Sequence, residues 1–266
     1  LKYLKKYLSP FEKKIILVST LLIITSFSFI AIRFYTTHLE TAPVRGGEYT
    51  EALVGAIQTI NPLYDGRNDV DDDLSGLIYS SLFKRGKTSA LNKELVDDFF
   101  VSSDGRVYEF TIRDNVLWHN GSMLTVEDIV FTFNAIMDPL YKSSLRPSFA
   151  GVKIEQSDDL NFKFILLEPY AAFLDLLTFG IMPAEIWSKV QAETANLSPL
   201  NLKPIGSGPY KSGSLIKNET TGAIKQYKLV INEEYYGAIP YLNLNFEFFT
   251  SFEEAISALN DNRVDG

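Results

Sequence analysis

Between Ile15 and Ile32 the chain carries 18 uncharged, mostly apolar residues without a break. As a helix that run spans about 27 Å, close to the hydrocarbon thickness of a bilayer. Lys2, Lys5, Lys6, Lys13 and Lys14 precede it and Arg33 closes it. Basic residues ahead of an apolar segment favour a cytoplasmic N-terminus. The pattern therefore predicts a basic cytoplasmic segment over 1–14, a transmembrane signal anchor over 15–33 and a tether over 34–47, with the body beyond it extracytoplasmic. The stretch after Arg33, Phe34-Tyr35-Thr36-Thr37-His38-Leu39-Glu40, is bulky and polar and offers no small-x-small cleavage site. Retention of the anchor is the expectation.

Beyond the tether the periodicity changes. Tyr108, Phe110 and Ile112 alternate with more polar neighbours across Val107–Arg113, as a half-buried strand does, after a Ser103-Asp104-Gly105 turn. Val152–Gln156 and Phe162–Leu167 read as one hairpin, and Pro209–Ile216 with Ile224–Ile231 as another. Leu242, Leu244, Phe246 and Phe248 alternate with Asn243, Asn245 and Glu247. Two helices carry start signals, Thr125 with Asp128 and Ser251 with Glu254, each at capping-box spacing. Ile129, Val130, Phe133, Ile136 and Met137 form the apolar face of the first, and Asp138-Pro139 ends it. Val264-Asp265-Gly266 looks like the first step of a further strand. Mixed strands and helices in irregular alternation predict an α/β or α+β body.

Charge divides the chain in the same place. Residues 1–45 hold seven Lys or Arg against two Glu, which leaves 18 basic and 31 acidic residues on the rest of a chain whose net charge is -8. An acidic body lacks the basic stripe that phosphate neutralisation needs, so a nucleic-acid partner is not expected. The absence of cysteine excludes thiolate zinc sites, disulfides, cysteine nucleophiles and an acylated-Cys anchor.

Four ordered stretches resemble the family 5 extracellular solute-binding proteins that serve oligopeptide, dipeptide and nickel ABC transporters. The first is Ile60-Asn61-Pro62-Leu63 with Ile78-Tyr79-Ser80-Ser81-Leu82-Phe83. The second, and most specific, runs from Ser103-Asp104-Gly105 through Tyr108-x-Phe110-x-Ile112-Arg113 and Val116-x-Trp118-His119-Asn120-Gly121 to Glu127-Asp128-Ile129-Val130-Phe131. Asn120 departs from the family's usual Asp. The third is Pro204-Ile205-Gly206-Ser207-Gly208-Pro209-Tyr210, and the fourth joins Asn232-x-x-Tyr235, Pro240, Ala258-Leu259 and Val264-Asp265. The resemblance covers roughly residues 48–266.

It implies a periplasmic-binding-protein-like two-lobed α/β fold, present in part: lobe I over 48–65 and 169–266, and an extra subdomain over 66–168. Because members run to about twice this length, it also implies a chain truncated at its C-terminus. Leu1 in place of Met is consistent with a fragment or with an alternative start codon. Without its second wall the site is not expected to bind with native affinity, and residues 46–266 alone are expected to be aggregation-prone or partly unfolded. The implied function is capture of a short peptide and its delivery to ABC permease subunits, with no chemistry on the ligand and no cofactor. Two alternatives stay open: a non-peptide solute such as a sugar oligomer or metal chelate, and a non-transporting membrane-anchored sensory or interaction domain.

Candidate ligand-binding residues follow. By the resemblance, Gly55-Ala56-Ile57-Gln58 lies on the strand that runs beside a peptide, where main-chain pairing would be indifferent to side chains; ordinary core strand is the competing reading. Gly206 and Gly208, flanking Ser207, either let backbone approach a ligand or make a tight structural turn. Tyr141, Tyr210, Tyr235 and Tyr236 are candidates to wall a cleft. Ser207 is not in G-x-S-x-G order, and Pro209 blocks a following helix, so a nucleophile elbow is excluded. His119 and His38 are the only histidines, and His119 has no partners at ligand spacing. It reads as a turn residue bonding locally. The acid-rich stretch Asp65–Asp73 fails the EF-hand pattern, having Val70 at the sixth position and Gly76 at the twelfth. It reads as a solvated loop capping a helix that begins near Leu74.

Overall fold

The computed structural model describes residues 9–38, 44–86 and 88–266. Residues 1–8 of the expected basic segment and 39–43 of the expected tether lie outside the described residues, as does the His38 side chain. Two units result, one within residues 1–44 and one over 45–266.

The first unit is helix α1, Pro10–His38. Ser9 and Glu12 cap it reciprocally: the Ser9 amide donates to Glu12 Oε2 at 2.7 Å, and the Glu12 amide to Ser9 Oγ at 3.3 Å. Pro10 fills the first helical position, where its missing N–H costs nothing. The helix thus starts before the apolar run and continues past Arg33, so Phe34–Thr37 are helical, in place of the expected tether. Its exposed apolar surface is long enough to cross a membrane.

The body runs in the order β1 (Glu48–Val54), α2 (Asp69–Ile78), β2 (Phe83–Arg85), β3 (Leu91–Lys93), β4 (Val96–Val101), β5 (Val107–Ile112), α3 (Val126–Met137), β6 (Lys153–Gln156), β7 (Asn161–Ile165), α4 (Ala184–Trp187), β8 (Tyr210–Lys217), β9 (Ile224–Ile231), β10 (Asn243–Phe249) and α5 (Phe252–Asn260). One sheet has the order β1-β10-β9-β8, with β1 parallel to β10 and the other pairs antiparallel. Both expected hairpins form, as does the alternating strand before α5. On the outer edge of β1, Gly266 begins a further pairing. Its carbonyl accepts from Ala52 N at 2.8 Å, and its amide donates to Thr50 O at 3.3 Å.

The second sheet, β4-β5-β7-β6, is antiparallel throughout. Its inner face is aromatic: Phe110 stacks on Phe162 at 5.2 Å, and Phe164 meets Phe133 of α3 at 5.1 Å and Phe173 at 5.3 Å. Each such pair adds about 0.5–1.5 kcal/mol to its area burial. The two sheets fall on the two sides of the expected lobe division, yet a single apolar core includes Phe246 and Tyr227 of one and Phe110 and Phe164 of the other.

Asp128 fixes α3 in this core. Its Oδ2 accepts from Thr125 N at 2.9 Å and from the Trp118 indole at 3.2 Å, and its Oδ1 accepts from Ala184 N, the first residue of α4, at 2.7 Å. The capping box and the Trp118 signature are therefore one network.

Candidate ligand-binding site

Helix α2 organises the candidate residues. Asn68 caps it by accepting from Val70 N at 3.2 Å, so it begins at Asp69 and not near Leu74. The apolar period is slow to show because the first turn is Asp69, Val70, Asp71 and Asp72, with one apolar residue in four. The expected solvated capping loop is corrected: Asp69–Asp73 are helical, Asn68 is the cap, and the buried Asp71 with Asp72 holds the preceding loop. Asp71 accepts from Gln58 N and Thr59 N, both at 2.9 Å, and Asp72 accepts from Gly66 N with both oxygens.

That capture explains Gly55, Ala56 and Ile57. Strand β1 ends at Val54, and Gly55 turns the chain at φ +134°, a conformation L side chains rarely adopt. The expected placement of 55–58 on the strand is corrected: these residues leave the sheet and run to the N-terminus of α2. Gly55 and Ala56 are exposed, while Ile57 enters the core. Asn68 Nδ2 donates to Ala56 O at 2.8 Å. The neighbouring Arg67 guanidinium lies 4.6 Å from the Tyr64 ring and donates to Lys142 O, while Ser143 and Ser144 donate to Leu63 O and Asp65 O, each at 2.7 Å. Tyr141, on the same returning loop, is buried in the core, and burial pushes its phenol upward. The result is an exposed backbone ridge over 55–56 and 66–67, held rigid from behind.

Gly206, Ser207, Gly208 and Tyr210 lie at the other end of α2. Gly208 N donates to Ile78 O at 2.8 Å, and a Cβ on Gly206 would stand 1.9 Å from that same oxygen. Ser207 is fully buried and, among the described residues, its hydroxyl has no partner. The glycines admit the end of a helix at close range, and Tyr210 donates to Leu242 O at 3.2 Å. His119 closes this turn from across the fold, with Nδ1 accepting from Gly206 N and Nε2 donating to Gly208 O, each at 3.1 Å. The expectation of local bonding for His119 is corrected, since its partners lie 87 and 89 residues away. Burial holds its imidazole down at about 4.

The candidate residues thus form two groups about 12 Å apart along α2, from Val70 to Ile78. The Tyr235 and Tyr236 rings meet at 4.6 Å, tilted by 52°, on the Ser80 side, where Tyr236 donates to Ser80 Oγ at 3.1 Å. Sequence reasoning missed Asn68, Asp71 and Arg67; the signal available was Asn68 three residues ahead of Asp71, a capping spacing. Among the described residues no group of three or more His, Asp or Glu is gathered to hold a metal.

The α/β body is a partial periplasmic-binding-protein fold. The profile of "Bacterial extracellular solute-binding proteins, family 5 Middle" matches residues 90–266, and the chain belongs to that family. It is 29% identical over 206 residues to the oligopeptide-binding protein AppA of Bacillus subtilis, covering 76% of this chain and 36% of AppA. The structure of that AppA in complex with a nonapeptide superposes with a TM-score of 0.76 at 25% identity, over 84% of this chain and 44% of AppA. NikZ of Campylobacter jejuni, solved with Ni(L-His), gives 0.71 at 28% identity, over 82% of this chain and 42% of NikZ. The chain spans about a third of the length of its curated relative. The family is one of solute-binding proteins, not enzymes.

Proposed function

We propose that this chain contributes one wall of an extracytoplasmic receptor that captures short peptides and hands them to the permease of an ABC importer. The ridge at Gly55-Ala56 carries the reading. It offers main-chain groups at a fixed position, and main-chain pairing suits ligands that share a backbone but differ in side chains. The similarity to a structure titled as holding a nonapeptide supports the same class of solute. Capture would close a second lobe over this wall by a hinge, in which lobe I comprises 48–65 and 169–266 and the subdomain 66–168. Helix α1 would act as a retained single-pass anchor with its N-terminus in the cytoplasm.

A second reading, a non-peptide solute such as a metal chelate, is favoured by the likeness to NikZ with its nickel–histidine ligand. Native mass spectrometry of the purified receptor separates the two. Co-purified masses that fragment as mixed short peptides support the first. A single defined non-peptide mass moves the assignment to the second.

A further inference from the structure

Arg67 is exposed on the ridge, between Gly66, whose amide Asp72 holds, and the cap Asn68, which holds Ala56 O. Its side chain is braced from behind. The guanidinium lies 4.6 Å from the ring of the buried Tyr64, and Nη2 donates to Lys142 O. Lys142 takes the left-handed conformation, φ 55°, which residues with a side chain seldom adopt. The loop that carries it is tied to the same segment on both sides of Tyr64, through Ser143 to Leu63 O and Ser144 to Asp65 O. A long side chain that would lose rotamer freedom on meeting a ligand is thereby set in advance.

The charge of Arg67 has no counter-ion. Five Asp lie between positions 65 and 73. Asp71 and Asp72 are taken by the amides of Gln58, Thr59 and Gly66, and Asp65 bonds Ser75. Among the described residues no carboxylate pairs with Arg67, whereas Arg85 and Arg263 pair with Asp175 and Glu247. A guanidinium carries a planar fork of N–H donors, of which Lys142 O takes one. The donors that remain suit a carboxylate.

We propose that Arg67 is a specificity residue of the solute site: it binds a carboxylate of the captured solute beside the Gly55-Ala56 ridge, and so favours acidic peptides over neutral ones. The inference rests on the reading of that ridge as the ligand wall. A peptide paired through its main chain at Ala56 turns successive side chains toward and away from the wall. One acidic side chain in register meets Arg67; a peptide that ends there presents its terminal carboxylate instead. Neutral peptides keep the main-chain contacts and lose only this pair.

The test is calorimetric titration of the complete receptor in detergent. The ligands are tetra-alanine, its C-terminal amide, and versions carrying Glu or Gln at each position in turn. Glu should bind about tenfold or more tighter than Gln at one position, the gain of a charge-assisted pair. Arg67→Gln should abolish that preference and leave the affinity for the Gln peptide little changed, which loss of the wall itself would not do. Arg67→Lys, which keeps the charge without the fork, should retain part of the preference. Arg106→Gln, in the turn between β4 and β5, removes the same charge and should leave the preference intact. A preference for the free acid over the amide, lost in Arg67→Gln, supports the same anchor and assigns the carboxylate to the peptide terminus. Should Arg67→Gln fail to fold, Arg67→Lys carries the decision, and an undiminished preference there overturns the inference.

Equal affinity for Glu and Gln at every position and for acid and amide also overturns it, as does a preference that survives in folded Arg67→Gln. Peptide capture would stand in either case. No binding of any of these peptides would defeat the peptide reading, and this inference with it.

Discussion

His119 and Gly206 exchange two hydrogen bonds: the Gly206 amide donates to His119 Nδ1 at 3.1 Å, and the His119 amide donates to Gly206 O at 2.8 Å. Because Nδ1 accepts, the ring proton resides on Nε2, where it donates to Gly208 O. One neutral imidazole therefore holds both ends of the Gly206-Ser207-Gly208 turn against the C-terminus of α2. Protonation at Nδ1 would set a donor against a donor.

That arrangement makes stability depend on pH. The imidazole sits at about 4 in the fold against 6.5 for the free side chain, so its contribution is complete above pH 6.5 and is lost as pH falls through 4. The loss is on the order of 3 kcal/mol at its limit. His119→Gln has no titrating ring and should cost about 1–3 kcal/mol at pH 7.5, the cost of an unpaired buried amide. It should then lose less than the parent between pH 6.5 and 4. Urea unfolding of the full chain in detergent across that range checks it; parallel slopes for both proteins would remove His119 as the source.

Two glycines of α2 and its docking turn should respond oppositely to alanine. At Gly206 the new Cβ would lie 1.9 Å from the Ile78 carbonyl oxygen, a backbone atom that cannot swing aside. Gly206→Ala should cost about 3 kcal/mol or more. At Gly76, inside α2 with nothing within 4 Å of the added atom, alanine should gain about 0.5–1 kcal/mol. Thermal melts of the two variants decide it, and a well-folded Gly206→Ala would mean the turn and the helix separate easily.

The sequence shows the difference between local and distant causes in these same residues. Thr125 with Asp128, the two hairpins and the strand at Asn243–Phe249 are legible because their signals, a cap or a period of two, lie within a few residues. The start of α2 is obscured because its first turn is mostly Asp, which reads as loop until Asn68 is seen to cap it. No period connects His119 to residues 87 positions away, so its role as a cross-fold clamp is visible only in space. The same holds for Gly206 and Gly208, whose spacing suits a ligand or a helix end equally until Ile78 is placed beside them.

Asp65 predicts the opposite pH trend to His119. Its carboxyl is raised to about 8 by burial and by Asp72, so protonation favours the fold. The contribution is complete below 3.8 and is lost as pH rises through 8. Asp65→Asn mimics the neutral acid. It should match the parent below pH 4 and melt higher by at least ~2–4 °C at pH 9, the shift worth about 1 kcal/mol in a domain of this size. Equal melting temperatures at pH 9 would place the Asp65 carboxylate in water.

The ridge at Gly55-Ala56 yields a prediction about the solute. Ala56 O is taken by Asn68, while among the described residues the Ala56 N–H donates to no group. If peptides pair with this wall through main-chain atoms, that amide is the donor available at its centre. Ala56→Pro removes it, and the preceding Gly55, at φ +134°, adapts more readily than a residue with a side chain would. Affinity of the complete receptor should fall about three- to tenfold, the worth of one hydrogen bond. The loss should be similar for peptides of unrelated sequence, because the bond is to backbone. Gln58→Ala, which keeps the amide held by Asp71, should change affinity little. Calorimetric titration with a panel of short peptides makes the comparison. A loss confined to one peptide would assign the ridge to side-chain recognition, and no loss for any would move the peptide off this wall.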